Sequence, residues 1–510
     1  MKSEFDTVLK EQNVKLEVLS MVKETIVNNR IKILGVLFLM LLLLFAYLVY
    51  QSISLNYLPV FSDEYGYYLD VKAFWLYDRI DAAITLNERY SLIGDAGFHG
   101  FMYNLLYGAF FKLFALLGIT PSIMLANYVL ILLLFLLLIS IKMRLEDKLL
   151  VGILFLSNFI FIIYLSSSMT EIFHYSIAVV AAYLIYLIYD SGESRYINLL
   201  IVLVFIMIFF RESWVFLLFG LFLLVKSWRD FAKYSAILFL GLVVVILCQK
   251  YFQAAYPIDY FHGIKSQLGS SSLMDTLYPI YEHFLVNIDK YFISEAYERY
   301  RFVFYYKYLF VLVLLYALFI GLWSRDKAIL SSALVAAVFF SSLLVLYDPF
   351  GWREVRALAV PFVLLTVVLI LKRKYFAVSL IILFQLFNLN AVLDAKQGVD
   401  QNRQKMNVLI EESQPLLNDF LDLDNYVSSF DKNEIIVLMN WDLLPFNNSP
   451  IIYQLPLSLS GKKIRYSYFY RHFDILDSIC DIYISNKIES AGNMKLIGNN
   501  KNFYFYRRVD

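Results

Sequence analysis

Between Ile31 and Gln51 the chain reads IKILGVLFLMLLLLFAYLVYQ, an apolar run about as long as the 20 residues an α-helix needs to cross the hydrocarbon of a bilayer. Ten further runs follow, near 121–141, 149–166, 172–189, 196–210, 213–226, 231–251, 303–323, 327–347, 357–371 and 375–393, separated by short charged clusters. In lipid every backbone polar group has to be satisfied internally, which restricts such a chain to bundled helices. Composition agrees: 60% of residues are hydrophobic and 17% charged, against about a quarter charged in soluble domains. Mean hydropathy is +0.64. The expected fold class is an all-α polytopic membrane protein of about 11 transmembrane helices with a small C-terminal α/β domain.

Several function classes fall away. The net charge is +1 and no Lys/Arg stripe tracks along a helix, so no nucleic-acid partner is expected. The two cysteines, Cys248 in an apolar run and Cys480 in the tail, have neither disulfide nor metal-type spacing. P-loop, dinucleotide-binding glycine pattern, HExxH and GxSxG are all missing, which argues against a nucleotide-driven pump and the common zinc and serine hydrolases. Residues 1–30 mix charges with Val8, Val14, Leu16, Leu19 and Val22 and read as a cytoplasmic amphipathic segment rather than a cleaved signal.

Basic clusters orient the spans. Lys142/Arg144/Lys148, Arg195, Lys226/Arg229/Lys233, Arg325/Lys327 and Lys372/Arg373/Lys374 fall at alternate span ends. Placing them in the cytoplasm obeys the positive-inside rule and puts the N-terminus inside. Segment 101–118 would reverse every later loop if it spanned. Its Tyr103, Tyr107 and Lys112 among Leu and Phe suit a helix lying in the outer interface instead. The expected domains are then the segment 1–30, a transmembrane domain 31–395 with outer loops 52–120 and 252–302, and an extracytoplasmic domain 396–510. In that last part NEIIVLMNW, DIYISN and NFYFYRR read as strands.

With this topology the unusual polar groups gather on the outer side. Charges in spans are costly, about 2.5–3.5 kcal/mol each at mid-bilayer, so a cluster of them at one interface suggests a polar cavity. Asp63–Glu64 lie a dozen residues past the first span, among Phe61, Tyr65, Tyr67 and Tyr68. Aromatic walls raise a carboxylate's proton affinity and suit it as a base; a helix-capping pair is the equal alternative. His99 stands between glycines in GFHGFMYNLL, either near a ligand or in a plain turn. Glu171 in SSSMTEIFH begins a span, with His174 one turn on. Glu171 reads as a helix N-terminal acid or as a second carboxylate for acceptor or metal. Arg211–Glu212 interrupts an apolar stretch, and Arg353 and Arg356 open a late span in DPFGWREVR. Self-pairing and interface anchoring compete there with a guanidinium grip on phosphate. The loop 252–302 carries Tyr256, Tyr260, His262, Lys265, Tyr278, Tyr281 and His283, a set suited to carbohydrate or a lipid head.

In order and sidedness these pieces resemble the GT-C glycosyltransferases, membrane enzymes that use polyprenyl-phosphate-linked sugars. Bacterial relatives of protein mannosyltransferases and aminoarabinose transferases are the most similar in layout. The matching motifs are FSDEYGYY after span one, GFHGFMYNLLYG opening an interfacial helix, Glu171 at the outer end of a span, and REVRALAVP before a late one. Phe101 stands where the family has proline after His-Gly, and the resemblance covers about residues 31–395. It implies a glycosyltransferase of the bacterial inner or plasma membrane, taking a polyprenyl-phosphate-linked sugar donor and a glycan, lipid or protein acceptor among membrane lipids. By resemblance Asp63 is the general base of an inverting transfer. Glu64 and Glu171 orient the acceptor or a metal, and His99, His174, Arg211, Arg353 and Arg356 bind substrate. Metal dependence stays open, a divalent cation being compatible. The alternatives are a lipid or glycan transporter or flippase, an O-antigen-type polymerase or ligase, and a non-catalytic scaffold.

Overall fold

A computed structural model describes residues 29–52, 62–80, 84–87, 102–167, 170–251, 273–292, 301–346, 352–412, 414–440, 454–469, 480–488 and 494–509. It is mostly helical, with a small sheet near the C-terminus. The helices are α1 (Asn29–Ser52), α2 (Ser62–Tyr77), α3 (Met102–Leu116), α4 (Ile123–Ser140), α5 (Leu145–Leu156), α6 (Phe159–Tyr164), α7 (Glu171–Ser191) and α8 (Ser194–Ile208). A 3-10 helix (Glu212–Leu224) follows, then α9 (Trp228–Tyr251), α10 (Leu273–Phe292), α11 (Arg301–Ser324), α12 (Lys327–Leu346), α13 (Trp352–Leu371), α14 (Tyr375–Phe387) and α15 (Leu389–Glu412). Short helices α16 (Gln414–Leu421) and α17 (Leu423–Val427) lead into the sheet.

Every apolar run expected to span contains helix, but the runs are not equal. Among the described residues six helices are long and apolar enough to cross a membrane by themselves: α1, α4, α7 and the apolar parts of α9, α11 and α12. The α14–α15 pair, bent by 50° at Asn388, makes a seventh if taken as one span. The 3-10 helix has only 13 residues, yet at about 2.0 Å per residue it reaches roughly 26 Å, close to a hydrocarbon thickness. The expected continuous span 149–166 is replaced by two helices. Asn158 ends the first and caps the second, its Oδ1 accepting from the Ile160 amide at 3.0 Å.

Two clusters of charge mark one end of the bundle. Arg30 pairs with Glu146 at 2.7 Å and lies 3.7 Å over the Tyr375 ring, while Arg144 forks onto Asp147 with two bonds of 2.8 Å. Lys372 stands 3.6 Å from both Asp190 and Asp326. These contacts bring together the starts of α1, α5, α12 and α14 and the ends of α7 and α13. Helices α7 and α13, which pack along each other, are therefore parallel. Glu171, at the start of one, and Arg353 and Arg356, at the start of the other, share the opposite end.

The strands are β1 (Ile84–Asn87), β2 (Glu434–Asn440), β3 (Ser458–Leu459), β4 (Lys462–Phe469), β5 (Ile482–Ser485), β6 (Met494–Asn499) and β7 (Tyr504–Arg508). Their order is β1-β4-β2-β5-β7-β6, with β3 paired to β4. The three strands expected from sequence are β2, β5 and β7. β1 is not among the expected strands: it belongs to the loop that follows α1 and pairs in parallel with β4, Ile84 opposite Tyr466. Arg79, buried at the end of α2, fastens the same junction by donating to the carbonyls of Leu457 and Ile464 at 3.0 and 2.9 Å. Leu69 and Ala73 of α2 join the apolar core of the sheet, with Phe420, Ile464 and Phe505. Tyr67 and Val71 of the same helix join the core of the helical bundle. Because this loop and the tail share a sheet, they lie on one side of any membrane the chain crosses, and the number of crossings between them is even.

Candidate active site

α2 carries the acidic motif. Asp63 stands in its first turn, and its side chain lies outside the described residues, as do those of Arg353 and Arg356 in the first turns of α13. His99 and most of the aromatic loop 252–302 also lie outside them. Glu64 is fully buried, and a residue more than 300 positions later meets it: Arg403 of α15 places Nη2 3.5 Å from its Oε1. The Arg403 guanidinium is also buried and donates through Nη1 to the carbonyl of Ser166. On the same face of α15, one and two turns earlier, Asp400 pairs with buried Lys396 at 2.5 Å. Tyr128 of α4 lies among Ser52, Asp400 and Arg403. Burial lowers the Lys72 amine of α2 below its ordinary range and raises the Tyr68 phenol.

The segment between α6 and α7 is gripped a second time. Asn127, fully buried in α4, donates its amide to the carbonyls of Leu165 and Ser167 at 3.2 and 2.9 Å. It accepts from the Tyr107 hydroxyl at 2.6 Å. Tyr107 stacks on Tyr103, with ring centroids 4.2 Å apart, and Tyr103 meets Tyr67 of α2 at 5.1 Å. This is the face α3 buries. At 15 residues the helix is about 22 Å long, short of a hydrocarbon core.

Glu171 opens α7 and is 3% exposed. Its carboxyl group lies near the Tyr107 and Tyr175 phenols. His174, one turn on, is buried and accepts at Nδ1 from Trp214 Nε1 at 3.0 Å. An indole N–H only donates, so the neutral imidazole carries its proton on Nε2. Trp214 sits in the first turn of the 3-10 helix, whose N-terminal flank is Arg211, half-buried in extended conformation. The helix start thus brings Arg211 to the end of the bundle where His174 lies.

The structure therefore ties Glu64 to the segment before Glu171 and His174 through Arg403, holds that segment with Asn127 and Tyr107, and holds His174 with Trp214, none of which the sequence marks as a site residue. The spacing of Lys396, Asp400 and Arg403, at i, i+4 and i+7, was the available sign of a charged helical face, but such a face ordinarily faces water. Among the described residues no three His, Cys, Asp or Glu side chains gather as a metal site would require. Chemically, the cluster offers carboxylates held in fixed places, a neutral imidazole donor and a guanidinium, walled by phenols. No protein-family model and no curated protein sequence matches the chain.

Proposed function

We propose that this protein is an integral membrane glycosyltransferase that moves a sugar from a polyprenyl-phosphate donor to an extracytoplasmic acceptor. The observation that carries the reading is that buried Arg403 ties the α2 acidic motif to the segment leading into Glu171 and His174, at the bundle end opposite the basic clusters. A helix cap on a surface loop would need no such surroundings. In this reading Asp63 takes the proton of an acceptor hydroxyl. The hydroxyl oxygen bonds to the anomeric carbon from the face opposite the phosphate, the bond from that carbon to the phosphate oxygen breaks, and the lipid phosphate leaves as an anion. The sugar carbon is inverted. A phosphate needs no protonation to leave, so one base is enough, unlike the paired carboxylates of glycoside hydrolysis. Positions 63 and 64 are about 100° apart around a helix, so commitment of Glu64 to Arg403 does not commit Asp63. Glu171 orients the acceptor, His174 donates from Nε2, and Arg211, Arg353 and Arg356 neutralise the donor phosphate. A divalent cation remains compatible with the carboxylates.

The eleven-span topology belongs to the same proposal. It places ten crossings between the first outer loop and the tail, which meets the even parity required by the shared sheet; letting α3 span as well would break it. The test is Asp63→Asn, assayed with polyprenyl-phosphate sugars in membranes. We expect transfer to fall at least about 100-fold, the lower range for loss of a general base, while insertion is unchanged; full activity would remove the assignment.

A transporter is the second reading, favoured by one observation. At the α5–α6 break, Ser157 donates to Gln385 Oε1 at 2.7 Å, and among the described residues the side-chain NH2 group of buried Gln385 has no hydrogen-bond partner. Interrupted helices with uncommitted polar groups line transport sites. Uptake of labelled lipid or glycan by vesicles holding the Asp63→Asn protein, at wild-type rate, would favour it.

A further inference from the structure

We infer that Arg403 is a positioning residue that holds the α2 acidic motif in register with the segment leading to Glu171, making the site dependent on the C-terminal part of the chain. The inference rests on the glycosyltransferase reading for its catalytic consequence, and on geometry alone for the positioning itself.

Arg403 is 1% exposed and Glu64 is fully buried. One guanidinium nitrogen faces Glu64 at 3.5 Å and another donates to the Ser166 carbonyl. A single rigid group thus touches two chain segments far apart in sequence, the start of α2 and the stretch before α7. Each bears part of the acidic constellation. A guanidinium offers donors in a fixed planar fork, which a lysine ammonium does not. Burying such a pair is a poor way to gain stability, because apolar residues of similar volume do as well or better. What the pair supplies is a defined distance between two segments. The other end of α2 is tied to the same C-terminal part by Arg79, through the carbonyls of Leu457 and Ile464, and its middle by Leu69 and Ala73 in the core of the sheet. The helix is therefore held along its length, and its first turn, where Asp63 stands, is set by Arg403.

The test uses the full chain purified in detergent, where both faces meet the reagent, with Cys248 and Cys480 replaced by alanine. Asp63→Cys reports the environment of position 63 through its rate of reaction with a water-soluble maleimide. Trp228→Cys, at an exposed position, serves as a separate control. We expect Arg403→Ala to change the rate at position 63 at least about tenfold and leave the control alone. Arg403→Lys should give an intermediate shift. An unchanged rate at position 63 would overturn the inference. Should Arg403→Ala disturb the control as well, the exchanged pair Glu64→Arg with Arg403→Glu decides, because return of both rates supports positioning and failure to return overturns it. In the chain with Asp63 intact, Arg403→Ala should lower kcat for sugar transfer about 100-fold, the size expected for a displacement near 1 Å, with KM changed only a few-fold. If the unsubstituted chain transfers no sugar, the glycosyltransferase reading fails while the labelling result still stands on its own.

Discussion

At the scale of single residues, the site depends on buried polar groups that each serve more than one neighbour. Asn127 is the clearest case: one side chain holds the Leu165 and Ser167 carbonyls and the Tyr107 hydroxyl. Truncating it removes three hydrogen bonds to buried groups at once. We expect Asn127→Ala to lower stability by about 2–3 kcal/mol, since an orphaned buried group costs roughly 1–3 kcal/mol and the released segment relaxes in part. A thermal melt in detergent, followed by tyrosine or tryptophan fluorescence, checks this. A midpoint within a degree of wild type would mean that Asn127 does not hold the segment. Trp214 acts by a different route, because its indole N–H sets which imidazole nitrogen of His174 carries the proton. The chemistry of His174 and Glu171 marks them in the sequence, whereas a partner such as Trp214, 40 residues away, leaves no mark there.

At the scale of elements, α2 and α3 approach so closely that only glycine fits between them. A Cβ at Gly108 would lie 2.4 Å from Phe74 Cδ1 and 3.1 Å from Phe74 Cβ. The second of these atoms is near the backbone, so the ring cannot simply swing aside. Gly108→Ala should therefore push α2 off α3 and cost about 1–3 kcal/mol, the usual range for overpacking. It should also reduce transfer more than stability alone explains, since α2 carries Asp63. Equal activity per folded molecule in Gly108→Ala would detach α3 from the site. The same pair explains why α2 shows no amphipathic pattern in sequence: one face enters the bundle core and the other the core of the sheet, so apolar residues occur all around it.

At the scale of the whole molecule, the domain boundary expected near residue 396 is crossed in both directions. The loop that follows α1 contributes β1 to the C-terminal sheet and α2 residues to its apolar core, and α15 packs against α6 and sends Arg403 into the bundle end. An epitope placed within residues 88–100 and a reporter fused after Asp510 should therefore report the same side of the membrane, and in the proposed topology the extracytoplasmic one. Opposite sides would contradict the shared sheet, and a common cytoplasmic signal would invert the eleven-span topology while leaving the sheet intact.

The sequence by itself determined that the chain is a helical membrane protein with a β-containing tail, because runs of apolar residues and their charged flanks act through local solvation and need no partner. It also marked Asp63, Glu64, Glu171, His174 and Arg211 as polar groups out of place. Tertiary structure alone decided that Glu64 answers to Arg403, that Trp214 sets the tautomer of His174, and that a four-residue strand of the first loop completes a sheet built some 350–400 residues later. Such pairings depend on which surfaces meet after the helices pack, and the period and composition of a segment carry no record of that.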